Sequence, residues 1–371
     1  MGGQRISIVL PNLRGGGAER VSVDLARAFA ECGHEVEFVL MTSSGDFLRE
    51  VQRDFRVIDL GVTRLRNVLR PMYGYLRNKR PDAVIAMMWP LTTVVPLAAR
   101  LARIQGSIMV CEHGILSRQY DEWGTAHRIL VRLSTFFGYR LATARLGVSD
   151  GVVADMARLS AFRESKISTI YNPLRPMNYP SVEQKATVDP LWKADGPRIL
   201  SVGKLKSVKN HAFLLHAFAA LSHPRACLTI VGQGQTESML RTLAVELGIE
   251  DRVLFAGFHE DPSPFYATAN LFVLSSDHEG FGNVIVEALS FGLPVVSTNC
   301  PSGPAEILGN GCWGMLVPVG DVAALSDAME EALNASVDHE ALKRRAAEFS
   351  PEIAAQQYLD LLSLSCTKRS I

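Results

Sequence analysis

Two hydrophobic patterns alternate along the first half of the chain. Short apolar runs, typical of strands buried on both faces, are separated by segments such as 18–32 and 91–103, whose apolar residues recur at intervals of three and four. The predicted strands are Ile6–Leu10, His34–Met41, Phe55–Leu60, Ala83–Met88, Ser107–Cys111, Ala144–Val148 and Ile167–Tyr171. Because helices join parallel strands and cover both faces of their sheet, the pattern predicts a parallel α/β domain.

The alternation stops at Asn172-Pro173 and is absent from 172–197, a stretch rich in proline and polar residues. It resumes in five further predicted strands, at Arg198–Val202, Cys227–Val231, Val253–Phe255, Leu271–Leu274 and Pro294–Ser297. Helical patterns follow from Asp321, and the last predicted helix, Pro351–Leu364, begins after a Ser350-Pro351 cap signal. The second half is therefore predicted to be another α/β sheet. Two such sheets facing each other would enclose a ligand-binding cleft.

Length and composition agree with two globular domains. A chain of 371 residues is too long for one ordinary core, and 47% hydrophobic with 20% charged residues leaves no room for a long disordered region. The six cysteines show no CxxC pair or metal-ligand spacing, which favours a reducing cytoplasm. The most apolar stretch, 84–99, contains two prolines and is shorter than the ~20 residues that span a bilayer, so no transmembrane helix is predicted.

The zero net charge conceals two opposite halves. Residues 1–175 hold 24 Lys/Arg and 16 Asp/Glu, a net charge of +8, and residues 176–371 hold 14 and 22, a net charge of −8. Two basic runs contribute much of the excess: Arg64, Arg66, Arg70, Arg77, Lys79 and Arg80, and then Arg128, Arg132, Arg140 and Arg145. Basic residues with apolar neighbours at helical spacing are found on anionic membrane surfaces and also on solvated helix faces, and both interpretations stay open.

Three glycines follow the first strand, in Arg14-Gly15-Gly16-Gly17-Ala18-Glu19-Arg20, and precede a helical pattern. Glycine lets the backbone approach a ligand, and a helix start offers N–H groups, so we expect an anion here, although a tight turn without a ligand is also consistent. The spacing is not GxGxxG, and no acidic residue follows a second strand where a ribose would need one. Both points argue against a dinucleotide-dependent dehydrogenase.

A second candidate segment is 203–210, which brings several lysines to the end of strand Arg198–Val202. The ammonium groups of Lys204 and Lys209 would suit a diphosphate, whose charge must be neutralised on binding and on departure. Solvated surface lysines are the alternative interpretation.

The segment 274–289 gives the strongest signal, because a strand, a glycine-containing turn and a helix follow each other directly. Glu279 lies in the turn, and Glu287 lies on an otherwise apolar helix that begins near Asn283. A carboxylate in apolar surroundings needs a partner, and the hydroxyls of a ribose would serve. A surface position for Glu287 is the alternative.

Glu279 and Glu287, with seven residues between them, resemble the two-glutamate motif of glycosyltransferase family 4, the group 1 glycosyl transferases, which are retaining enzymes with the GT-B fold. The resemblance extends over nearly the whole chain. Its other motifs are GGGAERV, Glu112-His113-Gly114, Val148-Ser149-Asp150, Tyr171-Asn172-Pro173, Val202-Gly203-Lys204, Lys209-Asn210 and Gly292-Leu293-Pro294-Val295-Val296-Ser297.

The resemblance implies two Rossmann-like domains facing across a cleft. They would comprise an acceptor-binding domain (1–175), a linker (176–196), a nucleotide-sugar-binding domain (197–350) and a helix (351–371) that packs back on the first domain.

It also implies roles for single residues. His113 would face the donor sugar, Glu279 would hold its hydroxyls, Glu287 the ribose and Lys209 the diphosphate. The remaining donor contacts would come from Gly16, Gly17, Gly257, Phe258, Phe281, Gly282, Asn283 and Val284. Lys204 stands where the family usually has Arg, and it offers a point charge in place of a planar fork.

The implied reaction moves a sugar from a nucleotide donor, most simply a UDP-sugar, to an acceptor hydroxyl with retention. No Asp-x-Asp metal site is evident, so no metal or other cofactor is expected, and lysines and helix starts would meet the charge of the leaving diphosphate. No side chain is an obvious nucleophile for a double displacement, which favours a same-face, oxocarbenium-like path.

The acceptor is the least specified part. Arg118, Tyr120 and Trp123 are candidates for binding it, and the basic first half suits a polyprenyl-diphosphate-linked sugar or a growing surface polysaccharide, as in exopolysaccharide, O-antigen or capsule synthesis, but no nucleic acid. A cytoplasmic protein peripheral to the inner face of the membrane would follow. The alternatives are a nucleotide-sugar epimerase, a non-catalytic relative of the family, and a dehydrogenase, which has the least support.

Overall fold

The predicted alternation of strands and helices is present in the computed structural model, which describes residues 3–120, 123–175, 177–193 and 195–366. The chain forms two compact units. Unit 1 consists of the described residues up to Arg175 together with those from Phe349 onward, and unit 2 consists of the described residues between them, up to Glu348. Each unit is built on one parallel sheet, so the prediction of two α/β sheets is confirmed.

Unit 1 contains a seven-stranded sheet in the order β3-β2-β1-β4-β5-β6-β7. Its strands are β1 (Arg5–Leu10), β2 (Glu35–Leu40), β3 (Arg56–Asp59), β4 (Ala83–Met87), β5 (Ser107–Glu112), β6 (Ala144–Gly147) and β7 (Ser168–Thr169). Ile8 of β1 lies opposite Phe38 on one side and Ile85 on the other, and all three side chains are buried. The central strands read as continuous apolar runs because helices cover both faces of the sheet.

The helices of unit 1 are α1 (Gly17–Glu31), α2 (Leu48–Asp54), α3 (Leu69–Lys79), α4 (Leu91–Ala102), α5 (Leu116–Gln119), α6 (Thr125–Leu141) and α7 (Asp150–Ser160), with 3-10 turns at Leu65–Asn67 and Glu164–Lys166. Among the described residues, no helix of either unit combines the length and apolarity needed to cross a bilayer.

The last helix of the chain, α16 (Pro351–Leu362), also belongs to unit 1 and packs against α1 and β5. Ser350 caps it by accepting a hydrogen bond from the amide of Ile353, as the Ser-Pro signal predicts. The fully buried Tyr358 contacts the ring of Phe29 edge-on, and its hydroxyl lies 3.3 Å from Cys111 Sγ. The core of unit 1 is therefore completed by residues from the far end of the chain.

Unit 2 contains a six-stranded parallel sheet in the order β10-β9-β8-β11-β12-β13. Its strands are β8 (Arg198–Val202), β9 (Cys227–Val231), β10 (Val253–Gly257), β11 (Leu271–Leu274), β12 (Val295–Thr298) and β13 (Met315–Val317). Its helices are α8 (Val182–Val188), α9 (His211–Ala220), α10 (Glu237–Glu246), α11 (Ser263–Thr268), α12 (Asn283–Ser290), α13 (Pro304–Ile307), α14 (Val322–Asn334) and α15 (His339–Ala347), with 3-10 turns at Asp189–Leu191, Ser207–Lys209 and Gly309–Gly311.

The interpretation of 172–197 as a stretch without periodic structure needs one correction, because helix α8 lies within it. A capping box starts this helix: the hydroxyl of Ser181 accepts from the amide of Gln184, whose side chain accepts from the amide of Ser181. Helix α8 packs against α11, and Trp192 donates from Nε1 to the hydroxyl of Thr268 over 3.1 Å. Much of the predicted linker is thus attached to unit 2.

Both sheets reverse their strand order at one point. In unit 1 the reversal lies between β1 and β4, and in unit 2 between β8 and β11. Ligands of open α/β sheets bind beyond the carboxyl ends of the strands at such a point, because loops that leave in opposite directions open a crevice there. The glycine loop follows β1, the loop with Lys204 and Lys209 follows β8, and the loop with Glu279 follows β11. His113 and Phe258 follow other strands, β5 and β10.

Candidate functional site

In unit 2, the loops after β8 and β11 meet where the strand order reverses. Nζ of Lys209 lies 2.6 Å from Oε1 of Glu279, and the hydroxyl of Ser276 donates to the same oxygen over 2.6 Å. Both charged side chains are mostly buried, with side-chain exposures of 22% for Lys209 and 11% for Glu279. The structure therefore brings together two predicted site residues that are far apart in the chain.

Hydrogen bonds fix the two loops to each other around this ion pair. The amide of Asp277 donates to the carbonyl of Val208 over 2.9 Å, and its carboxylate accepts from Nδ2 of Asn210 over 2.8 Å. The hydroxyl of Ser275 donates to the carbonyl of Lys209 over 2.9 Å. Because Asn210 also caps α9, the positions of Lys209 and Glu279 are set by ordered backbone.

The start of helix α12 lies next along the same loop. Gly282, at φ 103°, precedes its first residue, Asn283, and the first turn, which includes Val284, contains no acidic side chain. Phe281 is buried, and the hydroxyl of Ser302 donates to the carbonyl of Gly280 over 2.8 Å. This helix start therefore presents a positive dipole end without a carboxylate from its own first turn to compete for it.

Glu287 lies one turn into α12 and is partly buried. Its position is therefore intermediate between the apolar surroundings and the surface position that the sequence allows. The hydroxyl of Tyr266 donates to its Oε2 over 2.7 Å. The Tyr266 ring is fully buried and stacks on Phe291 with a centroid distance of 5.6 Å. The carboxylate thus has a protein partner on one oxygen, which sequence reasoning missed because Tyr266 is on another helix, α11.

The other predicted donor contacts of unit 2 lie at neighbouring strand ends. Lys204 is exposed directly after β8. The carbonyl of Gly257, the last residue of β10, accepts from the amide of Gly232 over 2.7 Å. Phe258 follows with 63% of its surface exposed, which leaves its ring accessible for stacking.

In unit 1, the glycine loop leads directly into α1, whose first residue is Gly17. The carboxylate of Glu19 lies against Gly16: a Cβ at position 16 would come within 2.2 Å of Glu19 Oε2. The carboxylate of Asp46 lies similarly close to Gly15, at 2.8 Å from the corresponding point. Two carboxylates thus surround the loop where the sequence predicts an anion, and a bound phosphate would have to displace or outweigh them.

His113 follows β5 and is mostly buried. Its Nε2 lies 3.4 Å from Cys111 Sγ and 3.3 Å from Met87 Sδ. Burial lowers the pKa of His113 to about 4, so the ring is neutral at pH 7. A neutral imidazole can donate or accept a hydrogen bond, but it carries no charge for a phosphate.

The carboxyl group of Glu112, beside His113, is fully buried among donors. Oε1 accepts from the hydroxyls of Thr92 at 2.6 Å and Tyr139 at 2.8 Å, and Oε2 accepts from the amide of Trp89 at 2.9 Å. This carboxyl joins the end of β5 to the loop after β4, where the strand order reverses.

Four rings form an aromatic cluster beside this loop: Trp89, Tyr120, Trp123 and His127. The ring centroids of Trp89 and Tyr120 are 4.8 Å apart, and those of Trp123 and His127 are 4.5 Å apart. Trp123 is 63% exposed. Two of the three acceptor candidates therefore lie together, and the third, Arg118, is exposed on α5, five residues before Trp123 in the sequence. Trp89 was missed, although a tryptophan directly after a buried strand was a usable signal.

Two protein families match the chain, one in each half. Glycosyltransferase Family 4 matches residues 15–176, and Glycosyl transferases group 1 matches residues 183–349. The first match covers the glycine loop and His113, and the second covers Lys209, Glu279 and Glu287.

Two bacterial proteins are similar in sequence. The lipopolysaccharide core biosynthesis glycosyltransferase LpsE of Rhizobium meliloti is 29% identical over 94% of this chain and 96% of its own length. The N-acetylgalactosamine-N,N'-diacetylbacillosaminyl-diphospho-undecaprenol 4-alpha-N-acetylgalactosaminyltransferase of Campylobacter jejuni is 33% identical over 56% of this chain and 55% of its own.

The crystal structure of Anabaena Alr3699/HepE in complex with UDP and glucose is similar in fold. It has a TM-score of 0.82, 21% sequence identity, and coverage of 97% of this chain and 99% of that one.

Proposed function

Because the chain belongs to glycosyltransferase family 4, the group 1 glycosyl transferases, we propose that it transfers a sugar from a UDP-sugar to an acceptor hydroxyl. The acceptor is a lipid-linked or polysaccharide chain in the synthesis of a surface glycan. The observation that carries the proposal is the contact between Lys209 and Glu279 at the point where the strand order of unit 2 reverses. It places a lysine that can bind a diphosphate beside a carboxylate that can accept hydrogen bonds from sugar hydroxyls.

Unit 2 supplies the donor contacts in this proposal. Lys209 and Lys204 neutralise the diphosphate, with the start of α12 at Phe281–Val284 as a further phosphate contact. Glu279 accepts hydrogen bonds from sugar hydroxyls. Glu287, oriented by Tyr266, accepts from the ribose. Phe258 stacks on the base, next to Gly257. The solved structure of similar fold that holds UDP and glucose supports this class of donor.

Unit 1 supplies the acceptor contacts. The aromatic cluster offers the face of Trp123 to a sugar ring, since such rings pack on aromatic faces with their apolar C–H side. Arg118 provides a cation for a phosphate of a lipid-linked acceptor. The related C. jejuni enzyme is named for an undecaprenyl-diphosphate-linked acceptor, and the R. meliloti relative for lipopolysaccharide core synthesis, which supports this acceptor class. A place at the inner face of the cytoplasmic membrane follows from it.

The proposed reaction retains the anomeric configuration and needs no metal. UDP leaves from one face of the sugar, and its developing charge is met by Lys209, Lys204 and the start of α12. The acceptor hydroxyl attacks on the same face through an oxocarbenium-like transition state, and its proton passes to the departing phosphate oxygen of UDP. His113, neutral at pH 7, serves as a hydrogen-bond partner of the sugar. The backbone of the glycine loop, at Gly16 and Gly17, approaches the donor.

Donor binding tests the proposal directly. We expect thermal stabilisation by one nucleotide sugar of a panel, and by UDP, with or without EDTA. Lys209→Ala should weaken UDP binding at least tenfold, because a hydrogen bond to a charged group contributes about 1.5–3 kcal/mol. Glu279→Gln should weaken binding of the nucleotide sugar while sparing UDP.

Lys206→Ala is the matched control, since Lys206 is an exposed lysine three residues from Lys209. If it weakened UDP binding as much as Lys209→Ala, the assignment of Lys209 would be wrong. Stabilisation by no nucleotide sugar would contradict the proposed donor class, and loss of transfer in EDTA would contradict metal independence.

A further inference from the structure

Helix α6 exposes large apolar side chains that the transfer chemistry does not use. Ile129 is 55% exposed, Leu130 53%, Leu133 53% and Phe137 61%. We call these four residues the outer apolar face. Such a cluster on a helix of a soluble domain marks an interaction surface, because scattered exposed apolar residues are common but contiguous ones are not.

The outer apolar face lies opposite the side of α6 that packs in unit 1. Ile129, Leu133 and Phe137 follow each other at intervals of four residues, so they line one side of the helix, with Leu130 beside them. At about 3.6 residues per turn, Val131, Thr135 and Gly138 point the other way, and all three are buried. A helix that packs against one layer needs only one apolar stripe, so the second stripe requires another partner.

The charged residues of α6 and of its neighbour α4 are all basic. Helix α6 contains no acidic residue, and Arg128 and Arg132 on it are exposed. Helix α4, which packs against α6, also lacks acidic residues and exposes Leu101 at 55% together with Arg100. Apolar side chains bordered by arginines complement a surface that is apolar inside and anionic at its edge.

The first basic run differs from α6 in this respect. On α3, the apolar residues Met72, Tyr75 and Leu76 are buried in unit 1. The exposed side chains of this helix, Arg70, Arg77 and Asn78, are all polar. That helix therefore offers charge without an apolar face. Only α6 of the two runs combines both.

We propose that the outer apolar face of α6 inserts into the interfacial layer of an anionic bilayer, with Arg128 and Arg132 against lipid phosphates. The inference rests on the proposed function, in which a lipid-linked acceptor is presented at such a surface. It goes further in two ways: it assigns the membrane contact to four side chains, and it attributes binding to their insertion in addition to the attraction of charges.

Vesicle flotation of the full-length protein tests the insertion. We expect binding to phosphatidylcholine vesicles that contain phosphatidylglycerol and weaker binding to phosphatidylcholine alone. Replacing Leu133→Ser together with Phe137→Ser should lower the partition coefficient about tenfold or more, because two large apolar side chains no longer leave water. High salt should weaken the binding of the unmodified protein without abolishing it, since salt screens only the arginines.

The matched control is Met239→Ser together with Val245→Ser, which removes two equally exposed apolar side chains, 50% and 60%, from α10 of unit 2. Equal loss of flotation in both double variants would overturn the inference. So would a dimer in solution that the α6 variant converts to a monomer without any vesicle binding, because a second copy would then cover the face.

UDP-sugar stabilisation of each protein, measured without vesicles, separates the two proposals. A protein that binds the donor but ignores anionic vesicles leaves the proposed function standing and removes the membrane face. A protein whose vesicle binding depends on the outer apolar face but that binds no nucleotide sugar supports the membrane face and contradicts the proposed donor.

Discussion

Glu112 shows how one buried carboxyl group links stability to pH. Burial raises its pKa to about 7 from the usual 4.5. The folded protein keeps the proton up to about pH 7, whereas the unfolded chain releases it above 4.5, so this group stabilises the fold below pH 4.5 and that contribution is lost as the pH rises through 7. The loss should be on the order of 3–4 kcal/mol.

We expect Glu112→Gln to remove that pH dependence. The glutamine cannot titrate, and its amide nitrogen would face either the Trp89 amide or two hydroxyls, so the variant should also be less stable overall. Urea unfolding between pH 5 and 8 gives the check: the free energy of unfolding of the original protein minus that of the variant should fall with rising pH. A constant difference would show that Glu112 does not titrate in this range.

At the scale of residues, the sequence identified side chains better than their partners. Lys209 and Glu279 were both assigned to the donor from the resemblance, but the contact between them joins two loops, and the two residues are 70 positions apart in the chain. Tyr266 was not identified, because it is defined by a partner elsewhere in the chain, Glu287. Trp89 was missed although its place directly after a predicted strand was a signal, and only its contact with Glu112 lay beyond sequence reasoning. A single sequence carries no signal for such pairs.

At the scale of elements, Gly303 fixes the loop that leads into α12. Its φ is 89°, and a Cβ at this position would lie 1.8 Å from the carbonyl oxygen of Phe281. Gly303→Ala should therefore displace the segment 280–284, lower the melting temperature and weaken UDP binding. Calorimetry and a UDP titration measure the two effects.

Gly311 is the control for backbone strain alone. Its φ is 103°, and a Cβ there would meet nothing within 4 Å. We expect Gly311→Ala to cost about 1–2 kcal/mol for the left-handed conformation and to leave UDP binding unchanged. Equal effects of the two substitutions would show that the close approach to Phe281 does not hold the loop.

The sequence located the long elements well and the short ones poorly. The twelve predicted strands are all present, because each is a distinct apolar run. Strand β13 was not predicted, since three residues at a sheet edge give no period, and α8 was missed because its seven residues are defined mainly by the capping box at Ser181 and Gln184.

At the scale of the whole molecule, the GT-B fold predicted from the resemblance is confirmed by the likeness of the full chain to a solved structure. The alternation of patterns alone gave two α/β halves. It gave no indication that the last helix completes unit 1, because α16 has an ordinary amphipathic pattern and its partners, α1 and β5, are more than 200 residues away in the chain. That expectation came from the resemblance.

The dependence of unit 1 on the end of the chain leads to a prediction about local stability. Tyr358→Ala should destabilise unit 1 by about 3–5 kcal/mol, because it removes a fully buried ring from between Phe29 and Cys111. Hydrogen exchange should then show lost protection in α1 and β5, while helices of unit 2 such as α9 keep theirs. Tyr179→Ala, which truncates a ring that is 63% exposed, should change neither. Equal loss of protection in both units would mean that they unfold as one cooperative body, and the completion of unit 1 by α16 would then have no separate energetic meaning.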